Sequence, residues 1–310
     1  MRVVRYVGLT DTGRKRRRNE DAYVVRPPVF AVADGMGGPR AGEVASGIAA
    51  GAVRADETDG DGETRVTELI LQANRRVYER SAEDASVSGM GTTMTVAVVG
   101  DRGVAIGHVG DSRAYLARGG ELRQLTDDHS LVAELVRGGK LSPEEAEHHP
   151  QRSVITRALG TDPDVDADVF TVEPQEGDVF LLCSDGLTTM VSDHGILQVL
   201  DRHAGDIERA AKELVRLANK AGGEDNITVV AFEITDEPAP PLEDTTPIPA
   251  VAADDEDTLD ETHGVPVIAD DAPAPEERGR GKLRRLWPFV VLLLALALAA
   301  AAVVLWLLAR

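Results

Sequence analysis

Short apolar segments alternate with polar turns along the first 236 residues, and four of these segments adjoin an acidic turn. Val29–Ala33, Ile106–Val109 and Val179–Cys183 each end within two residues of an aspartate, and Ile227–Phe232 begins just after one. Short apolar runs bounded by Gly, Asp, Asn or Ser are typical of buried strands. The pattern therefore predicts four aspartates at strand ends: Asp34, Asp111, Asp185 and Asp225.

The same patterning predicts further strands and a set of helices. Gly100-Asp101 and Gly119-Gly120 mark hairpin turns, and Ser142 with Glu145 forms a capping box around Pro143. Because strands follow strands, an antiparallel α+β architecture is predicted rather than a βαβ repeat. The further strands are Tyr23–Val25, Thr93–Val99, Val104–Val109, Ala114–Leu116 and Val169–Val172, and the helices are Ala41–Val53, Thr64–Glu83, Leu131–Arg137, Asp193–Leu200 and Ile207–Lys220.

The four aspartates at strand ends have two readings. An isolated Asp at a strand end is ordinary turn chemistry. If the four ends converge, however, they form a pocket of carboxylates whose mutual repulsion requires a cation. Hard oxygen ligands without Cys or His partners select Mg²⁺ or Mn²⁺ rather than zinc. The pattern thus indicates a metal-dependent enzyme that acts on phosphate.

Charge is distributed unevenly along the chain. Residues 1–236 hold 40 Asp or Glu against 27 Lys or Arg, a net charge of −13, which argues against nonspecific binding to nucleic acid. Residues 237–277 hold thirteen acids, eight prolines and no Lys or Arg, whereas 278–285 hold five cations. A segment of this composition buries too little apolar surface to offset the entropy that it would lose on ordering. Residues 237–285 are therefore predicted to be an acidic, Pro-rich disordered linker with a basic juxtamembrane end.

Residues 286–308 are predicted to form a transmembrane helix. The run from Val290 to Leu308 has no charged residue and, with its apolar flank, is about as long as the ~20 residues that cross a bilayer. Trp287 and Trp306 lie near its two ends, and the cations precede it, which places the N-terminal side in the cytoplasm. We expect a single-pass protein of the cell membrane with its domain of residues 1–236 on the inner face and little chain beyond the span.

A basic loop with two acids behind it occupies Arg14 to Asp21. Five consecutive cations, Arg14 to Arg18, are followed closely by Glu20 and Asp21. One reading is a solvated loop or a nonspecific polyanion site. The other places one Arg on a substrate phosphate, which a planar guanidinium binds in bidentate fashion, with Glu20 within reach of the metal site.

Six motifs in register resemble those of the metal-dependent Ser/Thr protein phosphatases of the type 2C class (PPM family), over about residues 5–235. Any one of them alone is weak, because Asp-Gly pairs are common, but their order and approximate spacing are specific. With the linker and the apolar span, the chain resembles the bacterial membrane-anchored members that oppose transmembrane Ser/Thr kinases. The motifs are Arg16-x-x-Asn19-Glu20-Asp21, Asp34-Gly35-Met36-Gly37-Gly38, Gly91-Thr92-Thr93, Gly110-Asp111-Ser112-Arg113, Ser184-Asp185-Gly186 and Gly223-Glu224-Asp225-Asn226-Ile227-Thr228.

The resemblance implies an α-β-β-α sandwich of two antiparallel sheets flanked by helices, with two Mn²⁺ or Mg²⁺ ions at one edge. By that resemblance Asp34 bridges the ions and the Gly35 carbonyl contacts one of them. Asp185 and Asp225 complete the shell of the other, and Glu20 supports the site through water. A third ion, which bacterial relatives often hold, has Asp111 and Asp185 as matching ligands and Ser153 as a weaker candidate.

The family mechanism implies direct attack on phosphorus by a water that bridges the two ions, with Arg16 binding the phosphate. No phosphoenzyme is needed, so Cys183 is not assigned as a nucleophile, and its place in an apolar strand indicates a buried apolar residue. The chain departs from many eukaryotic relatives, which have His as the proposed general acid after the Asp-Gly pair, because Met36 stands there and cannot donate a proton. The nearby histidines His129, His148 and His149 are read as surface or structural residues.

Several alternatives stay open from the sequence. Asp128 to Ser153 resembles the flap of bacterial relatives, and a substrate-contacting flap and a plain helical excursion are both compatible with it. Arg113 and Asn226 are predicted to brace the aspartate turns.

The function expected is hydrolysis of phosphoserine and phosphothreonine in proteins, which would oppose a membrane Ser/Thr kinase. The protein is expected to act as a monomer and to bind no nucleic acid. The alternatives are a non-catalytic phosphoprotein-binding member, which would have lost a metal ligand, and a switch phosphatase for one anti-sigma-antagonist protein.

Overall fold

The computed structural model describes residues 2–37, 41–55, 62–147 and 149–235. Within these ranges strands dominate the middle third, and helices follow the third, eighth and tenth strands. The strands are β1 Arg2–Asp11, β2 Asp21–Arg26, β3 Val29–Met36, β4 Gly91–Thr92, β5 Met94–Gly100, β6 Gly103–Val109, β7 Arg113–Arg118, β8 Glu121–Gln124, β9 Asp168–Val172, β10 Val179–Cys183 and β11 Ile227–Thr235. The helices are α1 Ala41–Arg54, α2 Gly62–Glu83, α3 Leu131–Arg137, α4 Pro143–Glu147, α5 Asp185–Thr188, α6 Asp193–Arg202 and α7 Ile207–Ala221.

The strands form two antiparallel sheets. One sheet has five strands in the order β1-β11-β10-β7-β8. The other has six, in the order β2-β3-β5-β6-β9 with β4 paired to β3. The chain crosses between the sheets several times, so strands far apart in sequence become neighbours.

Among the described residues, three apolar cores separate four layers. Between the sheets the rings of Phe30 and Phe232 stack with centroids 4.2 Å apart, and Phe180 stacks on Phe232 at 5.1 Å. Helices α1 and α2 cover the outer face of the six-stranded sheet, and α6 and α7 cover the five-stranded sheet. The predicted α-β-β-α sandwich is confirmed.

Helix α7 shows why the outer layers form where they do. Its buried residues Ile207, Ala210, Ala211, Leu214 and Ala218 recur at helical spacing and form one apolar stripe. Asp206 caps its first turn by accepting the Arg209 N–H at 3.0 Å. An amphipathic helix of this kind is stable only when its stripe packs on a sheet face.

The predicted helices and strands lie within one to three residues of the observed ones, and the capping box of Ser142 and Glu145 forms as expected. The elements not predicted are β1, β4, β8 and α5. Strand β8 reads Glu-Leu-Arg-Gln and lies at a sheet edge, so its mixed polarity gave no strand signal. Strand β1 is also an edge strand, with mostly half-buried or exposed residues.

No helix in the described part of the chain is long and apolar enough to cross a membrane. The predicted linker and the predicted span at 286–308 lie outside the described residues. The boundaries at 236 and 285 therefore stay predictions.

Candidate active site

Four acidic turns from both sheets meet at one edge of the sandwich. Asp34 lies near the end of β3 and Asp111 follows β6, both in the six-stranded sheet. Asp185 begins α5 directly after β10, and Asp225 precedes β11, both in the five-stranded sheet. Burial raises the pKa of Asp34 well above its usual value, and the carboxylates of Asp21, Asp185, Asp111 and Asp225 raise it further. The four strand ends thus converge, which matches the second of the two readings of these aspartates.

The carboxylates repel one another strongly. Burial, followed by the charge of Asp185, raises the pKa of Asp111 to about 7. Burial and the charge of Asp225 raise the pKa of Asp185 to about 6, and the carboxyl groups of Asp34 and Asp185 lie within hydrogen-bonding reach of each other. Asp34, Asp111, Asp185 and Asp225 are each half-buried as whole residues. The edge is therefore an accessible patch that favours positive charge.

Asp21 is a member of this cluster to which the sequence reasoning gave no role. It pairs with Asp34 across the β2–β3 ladder. Its Oδ2 accepts the hydroxyls of Ser184 at 2.8 Å and Thr228 at 2.6 Å, which link the two sheets. Burial raises its pKa to about 7. Its position directly after Glu20, at the start of a strand, was the available signal.

The donor set fits divalent cations. Asp21 Oδ1 and Asp185 Oδ1 are buried and have no hydrogen-bond partner among the described residues. An orphaned buried carboxylate oxygen is costly unless a cation or proton compensates it. Within the same ranges no three His, Cys, Asp or Glu side chains are arranged to hold a metal ion as they stand. The Asp225 carboxylate forms an ion pair with Arg16.

The turn after Asp34 depends on glycine. The Gly35 N–H donates to the Glu20 carbonyl at 3.1 Å. A Cβ on Gly35 would lie 2.1 Å from the Gly42 carbonyl oxygen and 2.6 Å from the Glu20 carbonyl oxygen. Helix α1 therefore packs directly on the turn backbone. Thr93 fixes the turn from the other side, because its hydroxyl accepts the Asp34 N–H at 3.0 Å.

Arg16 lies at the rim of the cluster. Its Nη2 is 2.6 Å from Asp225 Oδ2. The loop that carries it is anchored by the Arg14 and Lys15 N–H groups, which both donate to the Gly223 carbonyl at 2.7 and 3.1 Å. Gly13, with φ of +74°, sits so close that a Cβ there would lie 2.1 Å from the Asp225 carbonyl oxygen. The predicted phosphate-binding residue is thus held beside the predicted ligands.

Asn226, which is predicted to brace the aspartate turns, joins the Asp225 turn to this loop. Its Oδ1 accepts the Glu20 N–H at 2.7 Å, and its Nδ2 donates to the carbonyls of Thr12 and Arg18, both at 2.9 Å. Burial raises the pKa of the Glu20 carboxyl. Glu20 is therefore placed between β2 and the Asp225 turn.

Arg113 also braces a turn, as predicted. Its Nε and Nη2 donate to the two oxygens of Asp128 at 2.8 and 2.7 Å. This pair ties the Asp111 turn to the start of the helical segment that contains α3 and α4. Ser153, in contrast, is exposed and hydrogen-bonds to no described residue. Its role at a third metal stays a prediction.

The remaining candidate residues pack or hydrogen-bond within the fold. His129 is buried, accepts the Gly110 N–H at Nδ1 (3.1 Å) and contacts Asp168 through Nε2 (3.1 Å). Met36 packs on β4, where a Cβ on Gly91 would lie 2.8 Å from its methyl carbon. Burial raises the pKa of the Cys183 thiol to about 12, which makes it inert. His149 accepts the Gln151 N–H, and His148 lies outside the described residues.

An α-β-β-α sandwich with clustered carboxylates and an arginine at one edge defines a class of cation-binding enzymes that act on anionic substrates. A family model described as Protein phosphatase 2C matches residues 14–226, and the chain belongs to this family.

Similar proteins extend this comparison. The chain is 42% identical over 236 residues to the serine/threonine phosphatase stp of Listeria monocytogenes, covering 72% of this chain and 93% of that protein. It is 40% identical to the serine/threonine protein phosphatase PstP of Mycobacterium tuberculosis, covering 76% of this chain and 46% of that protein. The chain therefore spans about half of that relative's length. A crystal structure of the PstP catalytic domain in complex with two manganese ions superposes with a TM-score of 0.70 at 37% identity, covering 76% of this chain and 100% of that one.

Proposed function

We propose that this protein is a metal-dependent serine/threonine protein phosphatase that hydrolyses phosphoserine and phosphothreonine in proteins. The observation that carries the proposal is the convergence of Asp34, Asp185 and Asp225 beside Arg16 in a chain of the protein phosphatase 2C family. Relatives named as serine/threonine phosphatases support it. The non-catalytic alternative predicts a missing carboxylate, and none of the expected ones is missing.

The ions would be held by the carboxylates at the sheet edge. Two Mn²⁺ or Mg²⁺ ions would be held by Asp34, the Gly35 carbonyl, Asp185 and Asp225, consistent with the two manganese ions of the PstP structure. Asp111 and Asp185 would hold a third, with Ser153 as the weaker candidate. When bound, the ions supply positive charge that lowers the pKa of a nucleophilic water and offsets negative charge on the phosphate.

The chain's own residues bind and orient the substrate. The Arg16 guanidinium binds the phosphate oxygens in bidentate fashion. To do so, it releases Asp225 and contacts the substrate instead. Glu20 holds the edge of the site through its backbone contacts with Gly35 and Asn226. Met36 offers no proton at the position after Gly35, so no side chain of that turn protonates the leaving alkoxide.

The decisive experiment measures phosphate release from a phosphothreonine peptide by the full-length chain. Activity in Mn²⁺, loss in EDTA and a fall of at least about 100-fold in Asp185→Ala are expected, because the variant removes a carboxylate from the centre of the cluster. Asp201→Ala, an exposed acid on α6, is the matched control and retains activity. Turnover in EDTA, or full activity of Asp185→Ala, would overturn the mechanism.

We propose further that residues 286–308 anchor the enzyme in the cell membrane, with the catalytic domain of residues 1–236 on the cytoplasmic face and 237–285 as the spacer. The support is the uncharged run and the cations that precede it. Deletion of 286–310 should move the protein from the membrane fraction to the supernatant without changing turnover of p-nitrophenyl phosphate. A full-length chain that stays in the supernatant would refute the anchor.

The anchor would raise the local concentration of the enzyme near membrane Ser/Thr kinases, which we propose it opposes. Comparison of protein phosphorylation between a deletion strain and a complemented strain tests this. Sites that rise in the deletion strain and fall again when a membrane kinase is inhibited are expected. A set of sites unrelated to any membrane kinase would contradict the pairing.

A further inference from the structure

The basic loop Arg14–Arg18, called here the rim loop, contains more cations than the proposed function uses. Arg16 contacts Asp225, Arg14 Nε donates to the Asn219 carbonyl at 2.8 Å, and Arg18 makes an exposed contact of 3.4 Å with Glu43. The side chains of Lys15 and Arg17 are exposed and pair with no described residue. Two free cations therefore flank the predicted phosphate-binding arginine in the chain.

The rim loop is held in place by its backbone. Its start is anchored to the turn before Asp225 by two N–H bonds to the Gly223 carbonyl, and its end by the Asn226 side chain on the Arg18 carbonyl. Gly13 packs against the backbone of Asp225 itself. The backbone that carries the free cations is thus fixed beside the site, so only their side chains lose conformational freedom on binding.

The charge of the rim loop is opposite to that of the rest of the domain. Residues 1–236 carry a net charge of −13, and five of their 27 cations are consecutive in this loop. The site next to it is lined by carboxylates. A substrate with acidic residues is repelled by the net charge of the domain and attracted at the rim loop, which favours an approach from that side.

The distances suit residues close to the phosphorylated one. Neighbouring Cα atoms are about 3.8 Å apart, so the backbones of Lys15 and Arg17 lie within about 4 Å of that of Arg16. In an extended peptide, residues two positions from the phosphoresidue lie about 7 Å away from it. Both spacings are shorter than the screening length of about 8 Å at physiological salt, so the charges interact.

We propose that Lys15 and Arg17 are specificity-determining residues that select phosphoprotein segments with acidic side chains within about two positions of the phosphoresidue. The inference rests on the proposed function, and it names the class of substrate: acidic phosphopeptides rather than neutral or basic ones. Neither residue belongs to the catalytic machinery, because neither contacts the carboxylate cluster.

The test compares phosphothreonine peptides that carry Glu or Gln at the two positions on each side. The full-length chain in Mn²⁺ should show a KM about 3- to 10-fold lower for the Glu peptide, with a similar kcat, because two exposed charge contacts act on binding. Lys15→Gln/Arg17→Gln should abolish this difference and leave the kinetics of the Gln peptide unchanged. Arg75→Gln/Arg76→Gln, the same charge change on exposed residues of α2, should keep the difference.

A binding measurement separates this inference from the proposed function. Fluorescence anisotropy with labelled peptides that contain a non-hydrolysable phosphonate gives the affinity without turnover. Tighter binding of the Glu peptide that is lost in the Lys15/Arg17 variant supports the inference even if no peptide is hydrolysed. Equal affinity of the Glu and Gln peptides, or a preference that survives the double substitution, overturns it even if both peptides are hydrolysed.

Discussion

At the scale of single residues, buried oxygen atoms decide the chemistry of the site. Asp21 and Asp185 each leave one carboxylate oxygen without a partner among the described residues, whereas Asn226 uses both ends of its amide. The unpaired carboxylate oxygens are therefore the groups available to a cation, whereas the Asn226 amide holds the backbone around them. The two kinds of residue lie side by side in the turn Asp225-Asn226, with different tasks.

Asp21→Asn should change how stability depends on pH. The pKa of Asp21 is raised to about 7 by burial, against 3.8 in the unfolded chain, so the folded state binds this proton more tightly. The stability that the protonated group contributes is complete below about pH 4 and is lost as pH rises through about 7. Asparagine accepts the same two hydroxyls and does not ionise. In chelator, the wild type should therefore lose on the order of 1 kcal/mol or more relative to the variant between pH 5 and pH 8.

Urea unfolding of both proteins at the two pH values measures this difference. Burial lowers the pKa of His108 to about 4, which has the opposite effect on the pH dependence of stability. This effect is common to both proteins and cancels when their free energies of unfolding are subtracted. A stability difference that does not vary with pH would contradict the assignment of Asp21.

At the scale of elements, helix α1 is held against the end of β3 by a contact between two glycines. Cβ atoms built on Gly35 and Gly42 would each meet the backbone of the other, at 2.1 and 2.6 Å. This close approach places the N-terminal part of α1 directly over the Asp34 turn. The element that covers the six-stranded sheet thus also shapes the site.

Gly35→Ala should lower both stability and activity. The obstructing atoms belong to the backbone and cannot turn away, so a loss of about 1–3 kcal/mol is expected, together with displacement of Asp34. Gly51→Ala is the matched control, because a Cβ there meets nothing within 4 Å and the residue lies within α1. It should stabilise the protein by about 0.5–1 kcal/mol. Denaturation midpoints and peptide turnover measure the two effects, and equal stability of both variants would refute the packing argument.

The helical segment between β8 and β9 is fastened at both ends by one carboxylate. Asp168 contacts His129 Nε2 at 3.1 Å before the segment and Arg157 Nη1 at 2.9 Å after it. The two ends also pair directly, since the Thr156 N–H donates to the His129 carbonyl at 2.8 Å. The segment is therefore a closed excursion whose base is fixed next to the Asp111 turn.

Asp168→Asn should loosen this base. The variant removes the charge that both ends share, so the amides of Leu131 and Thr156 should exchange hydrogen several-fold faster, as expected for a local opening. Glu213→Gln, which breaks an exposed pair with Arg216 on α7, is the control and should leave these amides unchanged. Unchanged exchange in Asp168→Asn would show that the backbone pairing alone holds the segment.

At the scale of the whole molecule, the site is where two sheets are joined. Asp34 and Asp111 belong to one sheet, and Asp185 and Asp225 belong to the other. Repulsion between them pushes the sheet edges apart, whereas the hydroxyls of Ser184 and Thr228 on Asp21 hold them together. A cation bound here would stabilise the whole sandwich.

Mn²⁺ should therefore raise the melting temperature of the full-length chain. Binding to the folded state alone contributes about 2.7 kcal/mol at a concentration 100 times Kd. The rise should be strongly reduced in Asp185→Asn and retained in Asp201→Asn. Thermal unfolding followed with and without Mn²⁺ measures it, and the absence of any rise in the wild type would argue against metal binding at this edge.

Much of the fold and of the site was predictable because the signals are local. Apolar runs, capping residues and glycine turns located most elements, and motif spacing pointed to Asp34, Asp111, Asp185 and Asp225. Strands β1 and β8 escaped prediction because their residues are of mixed polarity and mostly half-buried or exposed. Asp21 received no role because its place in the cluster depends on pairing with Asp34 across two strands.

The order of the elements, the acidic turns at their ends, the family and the basic rim loop can all be read from the amino-acid sequence, because each follows from neighbouring residues or from a pattern of motifs. Which groups touch depends on the folded arrangement of the chain. Arg16 and Asp225 are 209 residues apart in the chain and 2.6 Å apart in space. Such contacts depend on the order of strands in the sheets and on packing between layers, which no local pattern encodes.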